Sequence, residues 1–237
     1  MANIFDLPPF PAVAIEGSAD RFPVGRIFCV GRNYAAHARE MGKDPDREPP
    51  FFFAKFAQTL VPGGGTIPYP PATADYQYEA ELVVAIAREG AAVAVEDALD
   101  LVYGYAAGLD MTRRDLQAVA KDLGRPWDNA KNFAFSAPIG TLRPVATGGH
   151  VTAGAITLTQ NGVERQRGDI ADMIWDTAEV IAYLSRIERL LPGDLIYTGT
   201  PAGVGAAVTG DRLVVAIDGL SPLAVEIGPR EEPFDAA

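Results

Sequence analysis

Two glutamates in the middle of the chain have the type and spacing of ligands for a hard metal ion. Glu79 and Glu81 lie two residues apart in the apolar run 78–86, and side chains two apart on a strand point to the same face. Two carboxylates on one apolar face repel each other unless one is protonated or a cation lies between them. The alternative is an edge strand whose carboxylate face is wetted by solvent, and this stretch alone does not separate the two.

Asp110 is a candidate for a third ligand. It follows a run of small residues at 103–109 that predicts a strand, and a predicted helix comes next, so the carboxylate lies where a strand end can reach a pocket. Three oxygen donors suit Mg²⁺, Mn²⁺ or Ca²⁺ better than zinc, and they leave coordination positions open for substrate and water. Asp110 could equally cap the helix that follows it, and the sequence leaves both roles open.

His37 and Glu40 have the spacing of a general base and the carboxylate that orients it. They lie three residues apart in the short helical stretch 35–41, and therefore share one face of that helix. A carboxylate beside an imidazole orients the ring and raises its basicity. An exposed ion pair is the competing interpretation, because such pairs are common and weak. The next segment, 42–50, is rich in charge and proline, which makes the helix a candidate for a mobile lid.

Three further segments supply polar groups for an anionic substrate. Lys131 lies among small and aromatic residues, and a partly buried lysine needs an anion nearby. Arg114 and Gln117 lie three apart on a predicted helix, where they could reach one ligand together or simply be solvated. The glycine-rich turn 199–205 offers backbone N–H groups and the Thr200 hydroxyl to an anion, without the strand and helix context of a dinucleotide site.

Composition limits the classes of partner. The chain has 237 residues, of which 48% are hydrophobic, enough for one large domain with a buried core. Its formal net charge of −11 argues against nucleic acid and anionic membrane surfaces as partners. The single cysteine, Cys29, cannot form an intrachain disulfide, which fits a reducing compartment. We find no signal peptide and no apolar run long enough to span a bilayer, so the expected location is the cytoplasm.

The elements that must position these residues are mostly strands. Apolar runs predict strands at 26–30, 51–56, 78–86, 103–109, 156–160 and 195–198. A capping box of Thr112 and Asp115 predicts a helix over 112–123, and apolar residues at helical spacing predict a long helix over 170–186. Asn161-Gly162 predicts a tight hairpin turn. Strands outnumber helices and do not alternate with them regularly, so the predicted fold class is α+β and mostly β.

Taken in order, these motifs resemble the fumarylacetoacetate hydrolase family. The resemblance rests on the segments 30–34, 37–40, 79–81, 110–112, 130–131, 161–162, 192–194 and 198–205. It covers roughly residues 25–228, which we take as one catalytic domain. An extended arm over 1–24 precedes this domain and a tail over 229–237 follows it.

Membership in this family implies a fold, an assembly and a set of roles. The fold would be a mixed β-sheet roll with a few flanking helices, assembled as a homodimer, with Mg²⁺ or Mn²⁺ as the cofactor. The metal ligands implied are Glu79, Glu81 and Asp110. The catalytic residues implied are His37, Glu40 and Lys131, with the first two on a mobile lid. The residues implied to bind the carboxylate end of the substrate are Arg114, Gln117 and Thr200.

One residue departs from the family pattern. Phe56 stands where the family usually has a proline after the strand lysine, Lys55. The departure leaves the path of the following loop open. It also leaves open whether Lys55 extends along apolar surface to solvent or directs its charge into the site.

The activity implied is metal-dependent hydrolysis of the carbon–carbon bond of a 2,4-dioxo acid, in the catabolism of aromatic compounds. The expected substrate is an acylpyruvate, with fumarylpyruvate, cleaved to fumarate and pyruvate, as the first choice. A fumaryl group would require a second cationic contact, for which Arg47 and Arg125 are the candidates. The alternatives are an oxaloacetate decarboxylase or an isomerase of dienoic diacids with a related fold. A further alternative, from another class, is a non-catalytic module that binds a metal and a keto acid.

Overall fold

A computed structural model of the chain describes Ile4 and residues 9–40 and 48–232, and for residues 38–40 it describes the backbone alone. The strands of this part are β1 (Ala12–Ala14), β2 (Arg21–Pro23), β3 (Arg26–Gly31), β4 (Phe51–Phe56), β5 (Leu60–Pro62), β6 (Gly65–Tyr69), β7 (Tyr76–Tyr78), β8 (Ala80–Ile86), β9 (Val102–Leu109), β10 (Thr112–Arg113), β11 (Ala137–Ile139), β12 (Arg143–Pro144), β13 (Ala155–Gln160), β14 (Val163–Asp169), β15 (Asp194–Tyr197), β16 (Gly205–Ala206), β17 (Arg212–Ile217) and β18 (Leu223–Arg230). The helices are α1 (Ala35–Glu40), α2 (Val95–Ala98), α3 (Arg114–Asp122), α4 (Asp128–Lys131), α5 (Val145–Gly148) and α6 (Thr177–Ile187). Short 3-10 helices cover Ala57–Thr59, Leu99–Leu101 and Ile170–Asp172.

Most of these strands belong to two large sheets. The larger sheet has eight strands in the order β4-β3-β15-β8-β9-β11-β5, with β12 paired to β9 beside that path. The second has five strands in the order β14-β13-β17-β18-β6, and smaller sheets are formed by β10-β7-β16 and by β1-β2. Both large sheets contain parallel pairs, such as β15 with β3 and β18 with β6, among antiparallel ones. The predicted α+β, mostly-β class with mixed sheets is confirmed.

β8 lies inside the larger sheet and is buried on both faces. Leu82 and Val84 belong to a hydrophobic core that extends to the five-stranded sheet, whereas Val83 and Ala85 belong to a second core on the opposite face. A strand covered on both faces has a nearly continuous apolar sequence, which explains the run that the sequence shows here. The interpretation of this stretch as an edge strand with a wetted carboxylate face is therefore wrong.

The pairing of β8 with β9 brings the acidic residues together. The two strands are antiparallel, with Ala80 opposite Leu109. Extending that register by one residue places Glu79 opposite Asp110, and the Asp110 N–H donates a hydrogen bond of 2.9 Å to the Glu79 carbonyl. Glu79 lies at the break between β7 and β8, and Asp110 lies at the break between β9 and β10. Two acids 31 positions apart in the chain thereby become neighbours at one end of the sheet.

The capping box predicted for Thr112 and Asp115 is not present. α3 begins two residues later, at Arg114, and its N-cap makes no side-chain hydrogen bond. Thr112 belongs to β10 and pairs with Gln77 of β7. The Asp115 carboxylate accepts a hydrogen bond of 2.6 Å from the Thr73 hydroxyl. The pairing of β10 and the contact with a distant loop thus override the local capping signal.

The long helix predicted over 170–186 is divided. Ile170–Asp172 forms a 3-10 helix, and α6 covers Thr177–Ile187. Asp176 begins α6 through a capping box, because its carboxylate accepts the Glu179 N–H at 2.8 Å and the Glu179 carboxylate accepts the Asp176 N–H at 3.1 Å. Apolar residues keep their helical spacing on both sides of this cap, so periodicity alone predicted one helix where the structure has two segments.

The hairpin turn and the chain ends complete the comparison with the sequence. Asn161 and Gly162 join β13 to β14 with φ values of 54° and 80°, as predicted for a tight hairpin. Within the predicted arm over 1–24, β1 and β2 form an antiparallel hairpin. β18 extends through Arg230, and residues 233–237 of the predicted tail lie outside the described part. Among the described residues, no helix is long and apolar enough to cross a membrane.

Candidate metal centre and substrate pocket

Glu79, Glu81 and Asp110 converge where β8 begins and β9 ends. These residues are only 6%, 2% and 1% exposed, and one carboxylate oxygen of each lies within 4.8 Å of the others. Oxygens bound to one Mg²⁺, Mn²⁺ or Ca²⁺ ion at about 2.0–2.6 Å can lie at most about 4–5 Å apart. The spacing and the hard oxygen donors therefore fit a single divalent cation.

Of the three carboxylates, Glu81 has its negative charge compensated least by the described residues. Its Oε2 accepts the Gly199 N–H at 2.9 Å, and within the described ranges no lysine or arginine forms an ion pair with it. Burial, followed by the charges of Asp110 and Glu79, raises the pKa of Glu81 well above its ordinary value. A cation between the three carboxylates would favour the ionised form of Glu81. The cost of ionising Glu81 without a nearby cation is a second indication, independent of the spacing of the acids, that these residues fit a metal ion.

Lys131, the last residue of α4, bridges the other two carboxylates. Its Nζ donates hydrogen bonds of 2.7 Å to Glu79 Oε2, to Asp110 Oδ2 and to Thr112 Oγ1. Burial disfavours the charged lysine, but the carboxylates of Asp110 and Glu79 outweigh burial and raise its pKa. The ammonium group therefore stays protonated beside the site, where it can stabilise negative charge.

Lys55, whose role the sequence left open, directs its charge inward. It is 2% exposed, and its Nζ donates to the carbonyls of Met111 at 3.3 Å, of Ser136 at 3.0 Å and of Lys131. The same Nζ lies 2.8 Å from Asp110 Oδ1, a contact between charges that lacks hydrogen-bond alignment. Through Lys55, β4 therefore fixes the two segments that carry Asp110 and Lys131.

Phe56, which departs from the family pattern, contributes a bond that proline could not make. Its backbone N–H donates to Asn132 Oδ1 at 2.8 Å, and proline has no N–H. The bond links the end of β4 to the residue after Lys131. The path of the chain after β4 is thus tied to the same centre.

Arg114 contacts Glu79 from the other side. Its Nη2 donates to Glu79 Oε1 at 2.5 Å, its Nη1 to Gln117 Oε1 at 2.6 Å, and its Nε to Gln77 Oε1 at 2.8 Å. Burial opposes ionisation of Glu79, but the charges of Lys131 and Arg114 outweigh it and hold the pKa of Glu79 below its ordinary value. Glu79 therefore stays ionised, while Glu81 does so only with a further positive charge nearby.

Gln166 was not identified from the sequence, and it orients the Thr200 hydroxyl. It is fully buried on β14, and its Nε2 donates to Thr200 Oγ1 at 2.8 Å and to the Pro201 carbonyl at 2.9 Å. Its Oε1 accepts the Ala80 N–H at 3.0 Å, and Ala80 lies between Glu79 and Glu81 in the chain. Because Thr200 Oγ1 accepts the bond from Gln166, the hydroxyl proton can be donated into the pocket.

Asn33 joins the turn before α1 to the turn after β15. Its side chain donates to the carbonyls of Trp175 and Thr198, both at 2.8 Å, and accepts the Trp175 N–H at 2.8 Å. Gly199 has a φ of 99°, and a Cβ at this position would lie 2.7 Å from Asn33 Cβ. Only glycine allows this close approach. The start of α1 is therefore held beside the turn whose N–H contacts Glu81.

His37 is a buried residue of α1, and it lines the same pocket as the glutamates. Glu40 belongs to the same helix, so the predicted spacing on one helix face holds for the backbone. The Glu40 side chain lies outside the described part, and so do residues 41–47, which include most of the predicted lid and Arg47. The His37–Glu40 dyad and its mobile lid remain predictions.

A pocket of about 480 Å³ joins these groups, a volume suited to a small acid. Of the residues singled out in the sequence, those that line it are His37, Glu79, Glu81, Arg114, Gln117, Arg125, Lys131 and Thr200. Asp110 is not part of the lining, and it is linked to the pocket through its bond to Lys131. The structure thus brings the candidate ligands, the candidate base and the candidate substrate-binding side chains to one place.

This arrangement can be compared with known proteins. The family model described as Fumarylacetoacetate (FAA) hydrolase C-terminal matches residues 26–227. The chain is 48% identical over 193 residues to a fumarylpyruvate hydrolase of Ralstonia sp, a match that covers 81% of this chain and 100% of that protein. It is 39% identical over 209 residues to the mitochondrial oxaloacetate tautomerase FAHD1 of Arabidopsis thaliana, covering 88% of this chain and 93% of that protein.

A solved structure extends the similarity to three dimensions. It is the crystal structure of fumarylpyruvate hydrolase from Pseudomonas aeruginosa in complex with Mn²⁺ and pyruvate. The TM-score is 0.95 at 50% sequence identity, and the match covers 97% of this chain and 100% of that chain. The segment matched by the family model begins in β3 and ends in β18, so it contains each candidate ligand and each pocket residue named above. The chain therefore belongs to the fumarylacetoacetate hydrolase family.

Proposed function

We propose that the protein is a metal-dependent carbon–carbon bond hydrolase that cleaves fumarylpyruvate to fumarate and pyruvate. The observation that carries the proposal is the convergence of three buried carboxylates within 4.8 Å, beside a buried histidine and a buried lysine in one pocket. The fumarylpyruvate hydrolases of Ralstonia sp and Pseudomonas aeruginosa, at 48% and 50% identity, support the choice of substrate.

The cofactor proposed is Mg²⁺ or Mn²⁺, held by Glu79, Glu81 and Asp110. When bound there, the ion supplies Lewis-acid charge to the keto-acid end of the substrate. The three acids provide hard oxygen donors, and the unfavourable buried charge of Glu81 is relieved by a cation. The Pseudomonas aeruginosa enzyme contains Mn²⁺ and pyruvate, which supports the metal and the product on which this assignment depends.

The proposed chemistry begins with His37 as general base. His37, oriented by Glu40, removes a proton from a water molecule, whose oxygen bonds to the C4 carbonyl carbon of the substrate. The C3–C4 bond then breaks, its electron pair stays on C3, and C3 takes up a proton, which yields pyruvate and fumarate. A positioned general base contributes about 10²–10⁴-fold to the rate of such a step. The burial of His37 in the pocket wall supports its contact with a water molecule there.

The remaining site residues act on negative charge. Lys131 stays protonated and offsets the charge that develops on oxygen when water adds to the carbonyl. Arg114, Gln117 and Thr200 bind the carboxylate end of the keto acid. The hydrogen bonds of Arg114 to Glu79 and Gln117 fix the guanidinium at the pocket wall before substrate arrives, which reduces the cost of ordering it.

The decisive experiment follows the ultraviolet absorbance of fumarylpyruvate with Mn²⁺ and then with excess chelator. We expect rapid loss of the substrate, formation of fumarate and pyruvate in equal amounts, and loss of activity on chelation. Oxaloacetate is assayed in parallel, with product identification. If oxaloacetate is turned over and fumarylpyruvate is not, the hydrolase assignment is wrong and the chain acts like its relatives named for oxaloacetate.

We also propose that the protein is a homodimer located in the cytoplasm. The support is the family resemblance for the assembly and the single buried cysteine for the reducing compartment. Light scattering after size-exclusion chromatography tests the assembly, since a dimer has twice the 25.2 kDa mass of the chain. A monomeric mass across micromolar concentrations would exclude the dimer.

A further inference from the structure

α3 turns its polar face towards the pocket. Arg114, Gln117 and Lys121 follow one another at intervals of three and four residues, and all three line the pocket. Val119 and Leu123, by contrast, are 53% and 56% exposed. These two apolar residues face outward, whereas Gln117 and Ala120 are buried against the pocket and Lys121 is an exposed residue at its edge. Polar side chains thus line the pocket along about two turns of α3.

Two cations of the pocket lie against one pair of aromatic rings. Lys121 Nζ lies 5.1 Å from the centre of the Trp127 ring, and Arg32 Cζ lies 5.0 Å from the centre of the Phe51 ring. The two rings pack edge to face with 5.4 Å between their centres. Within the described part of the chain, neither Lys121 nor Arg32 forms an ion pair with an acid. The rings hold two positive groups near each other, and no acid of the described residues is ion-paired with either of them.

The charges around Lys121 make this arrangement unfavourable until an anion binds. Lys121 is an exposed residue, but partial burial of its ammonium group, followed by the charge of Arg114, lowers its pKa to about 8. Glu79 acts in the opposite direction, and Lys131 and Arg32 lower the pKa further. Arg32 also has a φ of 59°, a left-handed conformation that is strained for a residue with a side chain. Residues held in such conformations cluster at ligand-binding sites, which favours a functional role for Arg32.

The separation of the two ends of α3 suits the proposed substrate. A helix rises about 1.5 Å per residue, so Lys121 lies about 10 Å along the axis from Arg114. The two carboxylate carbons of fumarylpyruvate are six bonds apart, which is about 7 Å at the advance per bond of an extended backbone. The length of the lysine side chain covers the difference. A substrate whose keto-acid end lies beside Arg114 therefore extends its other end towards Lys121.

We propose that Lys121 and Arg32 form a subsite for the terminal carboxylate of the acyl group, and that this subsite selects acylpyruvates whose acyl group ends in an acid. The proposal rests on the function proposed above and adds the residues that recognise the acyl group. Arg125, one of the two cations suggested by the sequence, lines the same pocket but has no aromatic ring beneath it in the described structure. Among the described residues of the lining, Asp122 is the acid outside the metal centre.

The test compares two substrates that share the 2,4-dioxo acid end. Fumarylpyruvate carries the terminal carboxylate and acetylpyruvate does not. We expect Lys121→Gln to lower kcat/KM for fumarylpyruvate by about 10- to 100-fold, the range of a hydrogen bond to a charged group, and to leave acetylpyruvate unchanged. Lys121→Arg should restore most of the difference. Arg186→Gln removes one positive charge from an exposed position of α6 and should change neither substrate.

A binding measurement separates failure of this proposal from failure of the proposed function. Fumarate and crotonate have the same four-carbon skeleton, and one carboxylate of fumarate is a methyl group in crotonate. We expect the wild type with Mn²⁺ to bind fumarate more tightly than crotonate, and Lys121→Gln to abolish that preference. If the wild type cleaves neither acylpyruvate but still binds fumarate more tightly than crotonate, the proposed hydrolase activity is refuted and the subsite is not. The subsite would be overturned if Lys121→Gln changed kcat/KM equally for fumarylpyruvate and acetylpyruvate, and changed binding equally for fumarate and crotonate.

Discussion

Replacing Lys55 by methionine tests whether the metal centre depends on a buried cation that does not line the pocket. Methionine keeps an unbranched apolar side chain but removes the ammonium group. The change deletes the contact of 2.8 Å with Asp110 Oδ1 and the hydrogen bond of 3.3 Å to the Met111 carbonyl. Both groups lie in a region that is almost fully buried, so water cannot replace the lost partner.

The size of the effect follows from the partners that remain. Breaking a buried ion pair by removing one member costs about 3–5 kcal/mol. The Lys131 carbonyl keeps the Ser136 hydroxyl at 3.1 Å, and the Ser136 carbonyl keeps the Met111 N–H at 3.0 Å. Among the described residues, the Met111 carbonyl has no other hydrogen-bond donor, and the loss of the Lys55 bond adds about 1–3 kcal/mol. The bond from Lys131 that Asp110 retains offsets a similar amount. We therefore expect the free energy of unfolding to fall by about 3–5 kcal/mol.

The assay is urea unfolding without metal, in excess chelator, so that ion binding does not enter. For a chain of this size, 3–5 kcal/mol corresponds to a fall in Tm of roughly 6–20 °C. Arg186→Gln, an exposed charge change, should stay within about 0.5 kcal/mol of the wild type. The double variant Lys55→Met with Asp110→Asn removes both charges, and should lose less than the sum of the single losses by at least about 1 kcal/mol. Additive losses, or a Lys55→Met variant as stable as the wild type, would refute the reasoning.

The remaining predictions concern the base, the metal and the acyl subsite. His37→Ala should lower kcat by about 10²–10⁴-fold, while calorimetry shows Mn²⁺ binding unchanged. Full turnover in that variant would remove His37 from the mechanism. Glu81→Gln should abolish the rise in Tm that Mn²⁺ gives the wild type. The metal-free variant should be at least as stable as the metal-free wild type, because glutamine is neutral without the unfavourable protonation that the buried glutamate requires. A Mn²⁺ response equal to that of the wild type would contradict the ligand assignment. Since the pKa of Lys121 is about 8 in the free protein, KM for fumarylpyruvate should rise as the pH increases above 8, whereas KM for acetylpyruvate should not. If KM for fumarylpyruvate rises in the same way in Lys121→Gln, a group other than Lys121 is responsible for the pH dependence.

The metal centre could be predicted because its signals are local. Glu79 and Glu81 share a face through the period of two of a strand, and Asp110 follows a run of small residues that ends in a helix signal. What the sequence could not provide was the register of β8 against β9. That register, with Ala80 opposite Leu109, makes the third acid a neighbour of the first two. It is fixed by the packing of the sheet rather than by either strand alone.

The groups that support the centre carry no comparable signal. Lys55 is a single lysine in an apolar strand, and its partners lie 55 or more residues further along the chain. Gln166 is one polar residue on β14, and it acts on Thr200 and Ala80 from a different sheet. Only the three-dimensional arrangement distinguishes such residues from ordinary strand positions. The same is true of Lys121, because the periodicity of α3 cannot tell which stripe faces a pocket.

The balance of charge explains why so many cations surround an acidic metal site. Lys55, Lys131 and Arg114 contact the carboxylates of Asp110 and Glu79. Glu81 accepts the Gly199 N–H, and no lysine or arginine of the described ranges is ion-paired with it. Three acids and three bases sum to no net charge, so a bound dication leaves the centre positive by two. A keto acid that carries a carboxylate offsets that excess, which means that the metal and the anionic substrate each strengthen the binding of the other. We therefore expect a centre without these cations to bind the metal more tightly and the anionic substrate more weakly.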